Sequence, residues 1–375
     1  MARAIGIDPG TVSFDVCGRD GDRVFLDETL ASTELSADPG RLVRLLRSAG
    51  AVDIIVGPSG YGLPWVDVRD VGPQEIALML LGDAGEGHGG TIVAGMGDLL
   101  RALKESGMPI CFSPGVVQLA SVPRHRKVNR IDMGTADKLC AVALGVWDHA
   151  RRHGVGYDQA SFLYVEMGGA FTAMAAVEDG RVMDGSGGTS GAMGYRSLGA
   201  MDGELAYLLG GFAKENLASG GMASIAGIPE GSPEGLMAMV PTVESAALAW
   251  EAYLEDLVKR VAGEMTVLAS PREILLSGRL SNIPQIRGEV ARRLSAFAPV
   301  RRVEGYAVVA KEAAQGAALI GQGLMGGPLA DLVEAMELRA ARGSVLDHLY
   351  VGDAQEIRER YRPSECASAP FWERS

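Results

Sequence analysis

At 375 residues, 47% hydrophobic and 22% charged, the chain has the composition of a folded globular protein and the length for two domains with substantial cores. A net charge of −12 opposes non-specific binding to nucleic acid, and no apolar run approaches a bilayer span, so nucleic-acid and membrane-embedded roles are disfavoured. Met1-Ala2-Arg3 leads into a strand without a signal-peptide core, which predicts a cytoplasmic protein, and Cys17, Cys111, Cys140 and Cys366 are too scattered for a disulfide framework or a thiolate metal site.

The first informative stretch is a short apolar strand, Ala4-Ile5-Gly6-Ile7, that ends in Asp8. A Pro9-Gly10-Thr11 turn follows, then a second strand from Ser13 and a third at Val24-Phe25-Leu26. Backbone N–H groups at a glycine turn can close on phosphate oxygens, and a strand-end carboxylate such as Asp8 can hold a hydrated divalent cation. Taken alone, the same residues also write an ordinary Asp-Pro-Gly hairpin.

The periodicity predicts a helix over 39–50 and a buried strand over 53–57. That strand ends in Pro58-Ser59-Gly60-Tyr61-Gly62-Leu63-Pro64, a loop where α/β sheets place ligand groups; Ser59 and Tyr61 are its candidate substrate contacts, unless Gly and Pro serve geometry alone. Helical runs at 74–81 and 92–106 precede a strand at 109–112, and the Arg124-His125-Arg126-Lys127 cluster could face an anionic ligand. Thr135 reads as the N-cap of a small-residue helix, which puts Asp137 in its first turn, either as a cap or as a base facing a cleft. His149 and His153 have metal-ligand spacing, but before Gly154 they also simply complement the dipole of a helix end.

From residue 161 the opening pattern recurs: an apolar strand, the carboxylate Glu166, the Gly168-Gly169 turn, and two more strands joined at Asp179-Gly180. Two such units roughly 160 residues apart suggest two α/β halves facing one nucleotide phosphate chain. A Gly-rich loop over 185–194, a long helix over 243–268, a buried strand ending at Ser277-Gly278 and a helix after Pro284 follow. The last element is a small-residue helix over 310–324, in which Gly316 and Ala317 permit close approach of a neighbouring backbone.

In this order the elements resemble the superfamily of acetate and sugar kinases, actin and the heat-shock chaperone ATPases. The matching stretches are a first phosphate loop at Asp8–Ser13, a connecting helix at Thr135–Trp147, a second phosphate loop at Glu166–Phe171, an adenosine strand-turn at Leu275–Asn282 and a second connecting helix at Ala313–Leu324. Within the superfamily the chain looks most like a butyrate-kinase-like group, marked by Gly57–Pro64 and by Gly134-Thr135-Ala136-Asp137-Lys138. Asp8-Pro9-Gly10-Thr11 departs from the Asn-Pro-Gly-Ser loop of short-chain carboxylate kinases, and Glu166 stands where Asp is commoner.

The resemblance implies an α/β fold of two ribonuclease-H-like (actin-like ATPase) domains with a nucleotide cleft between them, at 1–154 and 155–328, and a C-terminal helical extension at 329–375. It implies an ATP-dependent, magnesium-using kinase of a small molecule. The acceptor would be a short-chain carboxylate or else a sugar or other hydroxyl; the alternatives are a non-transferring, nucleotide-gated ATPase or sensor and a carbamoyl- or peptidase-like relative, which would require a metal pair at His149 and His153. Gly10, Thr11, Ser13, Gly168, Gly169, Gly278, Arg279 and Gly316 would then bind nucleotide, with Asp8 and Glu166 at the metal. Asp137 and Asp8 would be catalytic, and Ser59, Tyr61, Arg124 and Arg126 would meet the substrate. The expected partner is that small molecule, with neither nucleic acid nor membrane, and a homodimer is a possible assembly.

Overall fold

The computed structural model, which describes residues 2–10, 12–82, 90–211 and 213–361, holds two sheets in two units. The first unit comprises residues 1–131, 135–158 and 304–375; the second comprises 132–134 and 159–303.

In the first unit, β1 (Arg3–Pro9), β2 (Ser13–Asp20) and β3 (Arg23–Ala31) form an antiparallel meander. β4 (Ile54–Pro58) joins β1 in parallel, β6 (Ile110–Ser113) joins β4 in parallel, and the short β5 (Val66–Asp67) pairs antiparallel with β6. The order is β3-β2-β1-β4-β6-β5. Every residue from Ala4 to Asp8 is buried, as expected of a central strand covered on both faces. Helix Glu312–Leu324 supplies one cover, and it sits so close that a Cβ on Gly6 would lie 2.0 Å from the Ala314 carbonyl oxygen. The same helix crosses helix Ala136–His153, where a Cβ on Gly316 would lie 1.7 Å from the Cys140 carbonyl. The close approach expected of Gly316 is therefore real, and it is what places residues 312–324 in the first unit instead of the second, where the division at 154 had put them.

In the second unit, β7 (Phe162–Met167), β8 (Thr172–Glu178) and β9 (Arg181–Ser186) form another antiparallel meander. β10 (Ile274–Ser277) runs parallel to β7 and β11 (Val300–Arg302) parallel to β10, which gives the order β11-β10-β7-β8-β9. Helices Glu244–Met265 and Pro284–Leu294 bury Tyr253, Leu257, Ile286 and Val290 with Leu163, Val165, Ile274 and Leu276 of the strands.

The two meanders share their register. One constant offset in residue number carries Asp8 to Glu166, Gly10 to Gly168 and Ser13 to Phe171, and turns the Asp8–Asp15 cross-strand pair into Glu166–Ala173. The irregularity between Gly18 and Arg19 recurs at the same offset between Ala176 and Val177. β5 and β11, three residues or fewer, fell below what alternation in the sequence can signal. Among the described residues no helix is long and apolar enough to cross a membrane.

Candidate functional site

The first turn is closed by the Gly10 N–H, which donates to the Ser13 carbonyl at 2.9 Å. A Cβ on Gly10 would stand 2.8 Å from that same oxygen, so the turn requires glycine. From the end of β3, Ser32 fixes it further: its Oγ donates to the Gly10 carbonyl and its N–H to the Val12 carbonyl. Asp8, 8% exposed, ends β1 directly before this turn, opposite the more deeply buried Asp15. Thr11 lies outside the described residues.

The carboxyl ends of β4 and β6 complete this end of the sheet. Gly60 has φ +67°, and a Cβ there would meet the Met79 carbonyl at 2.1 Å, so the loop after β4 lies tight against helix Pro73–Leu80. The Gly60 carbonyl accepts the Ala136 N–H at 2.9 Å, tying the loop to the start of helix Ala136–His153. There Asp137 accepts from the Lys138 ammonium at 2.7 Å and from the Thr135 hydroxyl. Burial pushes the Asp137 carboxyl up, but the Lys138 charge and these hydrogen bonds outweigh it and hold the group below the usual carboxylate range. Cys140, one helical turn on, is pushed up to about 12, first by burial and then by the charges of Asp137 and Asp8, against a hydrogen bond with Ser113.

The remaining candidates separate. Ser59 is fully buried and its hydroxyl donates to the Leu63 carbonyl at 3.2 Å, so it shapes the loop and is not presented to a substrate. Tyr61 is half-buried, its backbone held by Met79 and by the Gln118 side chain. In the short helix Arg124–Lys127, Arg124 is exposed and Arg126 half-buried, whereas Lys127 is buried, donates to the Leu119 carbonyl and is held below the usual lysine range by burial. Gly316, enclosed in its helix crossing, is a packing position and not a nucleotide contact. His149 is fully buried and His153 exposed, with ring centroids 4.4 Å apart on the last turns before Gly154.

In the second unit the same turn geometry returns. The Gly168 N–H donates to the Phe171 carbonyl at 2.9 Å, and a Cβ on Gly168 would stand 2.8 Å from that oxygen. Gly169 is exposed with nothing nearer than 4.0 Å to its missing Cβ, which leaves its backbone open to a ligand. Glu166 is half-buried. Gly278, at φ +80°, follows β10, and a Cβ there would lie 2.6 Å from the Met167 carbonyl; it packs against the strand that delivers the second turn. The Arg279 guanidinium pairs with Glu234 at 2.9 Å.

Reading the sequence missed Asp15 and Lys311, which meet Ser13 of the first turn from the side, and Asp27, which holds the segment before Lys311. The available signal was Asp15, a carboxylate inside the otherwise apolar run Phe14–Cys17.

The family described as "Protein of unknown function (DUF1464)" matches residues 6–351. No curated protein matches the sequence. Among solved structures, the chain is similar to the acetate kinase from Entamoeba histolytica (TM-score 0.59, 9% identity, 79% of this chain and 87% of that chain). It is also similar to a propionate kinase from Francisella tularensis subsp. tularensis SCHU S4 (TM-score 0.60, 14% identity, 84% and 99%) and to the Porphyromonas gingivalis acetate kinase (TM-score 0.56, 14% identity, 79% and 88%). At these identities the likeness concerns the fold, which is α/β with two units of the actin-like ATPase class.

Proposed function

We propose, for a chain that belongs to the family described as "Protein of unknown function (DUF1464)", an ATP-dependent phosphotransferase activity toward a small molecule, with magnesium as the metal. The observation that carries this reading is the repeated turn: in each unit a strand-end carboxylate precedes a glycine whose N–H closes the same hairpin at 2.9 Å. That N–H is committed to the hairpin; the donors such a turn offers to phosphate oxygens are its other backbone N–H groups, as at the exposed Gly169, and a carboxylate beside it offers the hard oxygen ligand that magnesium prefers. In the first unit Asp8 would be a metal ligand and Gly10 and Ser13 would face phosphate; in the second unit Glu166 would be a metal ligand, Gly168 and Gly169 would face phosphate, and Gly278 and Arg279 the nucleoside. Bound magnesium ATP supplies the transferable phosphoryl group; the chain's residues position it and offset its charge.

Asp137 stays ionised at neutral pH, and its neighbours Lys138 and Thr135 already fix its orientation. The ionised state serves a base equally well, but the engagement of both oxygens by Lys138 and Thr135 favours an acceptor which needs no deprotonation, a short-chain carboxylate of the butyrate-kinase-like kind, with Arg124 or Arg126 balancing its charge. A sugar or other hydroxyl is the alternative, with Asp137 as its base and Tyr61 in contact with it. The test is transfer of labelled γ-phosphate from ATP to panels of short-chain carboxylates and of sugars, with Asp8→Ala as control. Label in a carboxylate, lost in the control, is the expected result. Steady hydrolysis indifferent to every acceptor would replace the kinase with a nucleotide-gated ATPase.

A further inference from the structure

We infer that Lys311 is a phosphate-binding residue of the first turn, delivered from outside the hairpin and kept in place by two buried or half-buried carboxylates, Asp15 and Asp27. The inference deepens the reading above and rests on it for the identity of the ligand, a magnesium-bound nucleoside polyphosphate.

The Lys311 ammonium lies over the turn itself. It donates to the Ser13 Oγ at 2.6 Å, pairs with Asp15 at 2.7 Å and stands 3.8 Å from where a Gly10 Cβ would be. The Ser13 hydroxyl in turn donates to Asp15 at 3.2 Å. Asp15 is 2% exposed at its side chain while Lys311 is 51% exposed, so the lysine has one side against the protein and one toward solvent beside the Gly10 backbone. A cation placed so is available to an anion seated on the turn.

Its placement is constructed. The Asp27 carboxylate on β3 accepts three consecutive backbone N–H groups, Val308 at 2.8 Å, Val309 at 3.0 Å and Ala310 at 2.7 Å. The Gln315 side chain holds the same segment from the other side, accepting from the Tyr306 and Ala307 N–H groups and donating to the Ala310 carbonyl. Val308 is 96% exposed, but Ala310 is buried with Cys17 and Ala314, and Tyr306 and Ala307 pack against them. Polar bonds and this small apolar contact together aim Lys311 at the turn. The second hairpin has Ala173 at the position equivalent to Asp15, so the carboxylate is not a requirement of the hairpin geometry. Its presence only in the first turn is accounted for by the lysine it holds.

The experiment is calorimetry of the full chain with MgATP, with magnesium pyrophosphate and with adenosine, for wild type, Lys311→Met, Lys311→Arg, Asp15→Ala and the double variant Asp15→Ala/Lys311→Met. The double variant guards against leaving Asp15 buried and unpaired, and the second hairpin shows that alanine fits there. Lys311→Met and the double variant are expected to weaken MgATP and pyrophosphate by about ten- to a hundredfold, the worth of a hydrogen bond to a charged group. Lys311→Arg should stay within a few-fold of wild type, Asp15→Ala should fall between wild type and Lys311→Met because Asp27 still holds the segment that carries the lysine, and adenosine should be unaffected. A merely structural ion pair would weaken adenosine along with MgATP in Lys311→Met, and that parallel loss would overturn the proposal. So would unchanged MgATP affinity in the double variant, while leaving the kinase reading intact. Pyrophosphate binding that depends on Lys311 in a protein indifferent to MgATP would retain the lysine and remove the kinase. A wild type that binds neither phosphate compound would overturn the role of Lys311.

Discussion

At the scale of the residue, Asp137 makes the sharpest prediction. Its carboxyl is held below the usual range, so the ionised form prevails in the folded protein at every pH above about 4. A pH–rate profile should therefore show no acid limb from Asp137 between pH 5 and 8. Because the folded value is depressed, the stability it contributes is present above the unfolded carboxylate value and is lost as pH falls through the lower folded one. If the acceptor is a hydroxyl, Asp137→Asn should lower turnover by roughly two to four powers of ten with ATP affinity unchanged; with a carboxylate acceptor the loss should be much smaller. Single-turnover ATP consumption decides between them. The cysteines give a second residue-scale prediction. Burial pushes the Cys17 and Cys140 thiols up to about 12 and raises Cys111 well above the usual thiol range, so the thiolate is scarce at pH 8. Mass mapping after iodoacetamide treatment should find these three unmodified in the native protein and labelled once it is denatured.

At the scale of the element, three contacts are testable. Gly316→Ala puts a methyl into the Cys140 carbonyl and should destabilise the first unit by about 3 kcal/mol, read as a lowered urea midpoint. Gly278→Val should weaken nucleotide binding and lower the stability of the second unit together, since the new side chain meets the Met167 backbone at a positive φ. A loss of affinity at full stability would place Gly278 against the ligand alone. Asp27→Asn halves the accepting capacity that three amides share, and amide exchange at Val308, Val309 and Ala310 should accelerate with little change in β1. The hairpin turns were legible as Asp-Pro-Gly and Glu-Met-Gly-Gly because the turn chemistry is local. The Asp27 and Lys311 contacts were not, because their partners lie almost 300 positions apart and only the packing of helix Glu312–Leu324 on β1 and β2 brings them together.

At the scale of the whole molecule, the first unit is discontinuous, and that has a consequence for truncation. A chain ending at Val303 loses helix Glu312–Leu324, the cover of β1 and the partner of helix Ala136–His153. It should lose the cooperative unfolding of the first unit and expose it to limited proteolysis, whereas residues 159–303 retain a core of their own and should stay protected. What the sequence determined by itself was whatever a local pattern writes: two carboxylate–glycine turns, the apolar strands that lead into them, the Thr135 helix start and the small-residue helix at Gly316. From their order and repetition the fold class followed. What only the tertiary structure decided was which half owns that last helix, which candidates are buried out of reach, as Ser59 and Gly316 are, and that a lysine near residue 310 stands over a turn at residue 10. Strand alternation and turn chemistry act over a few residues and leave a mark in the sequence; close packing and ion pairing join residues hundreds of positions apart and leave none.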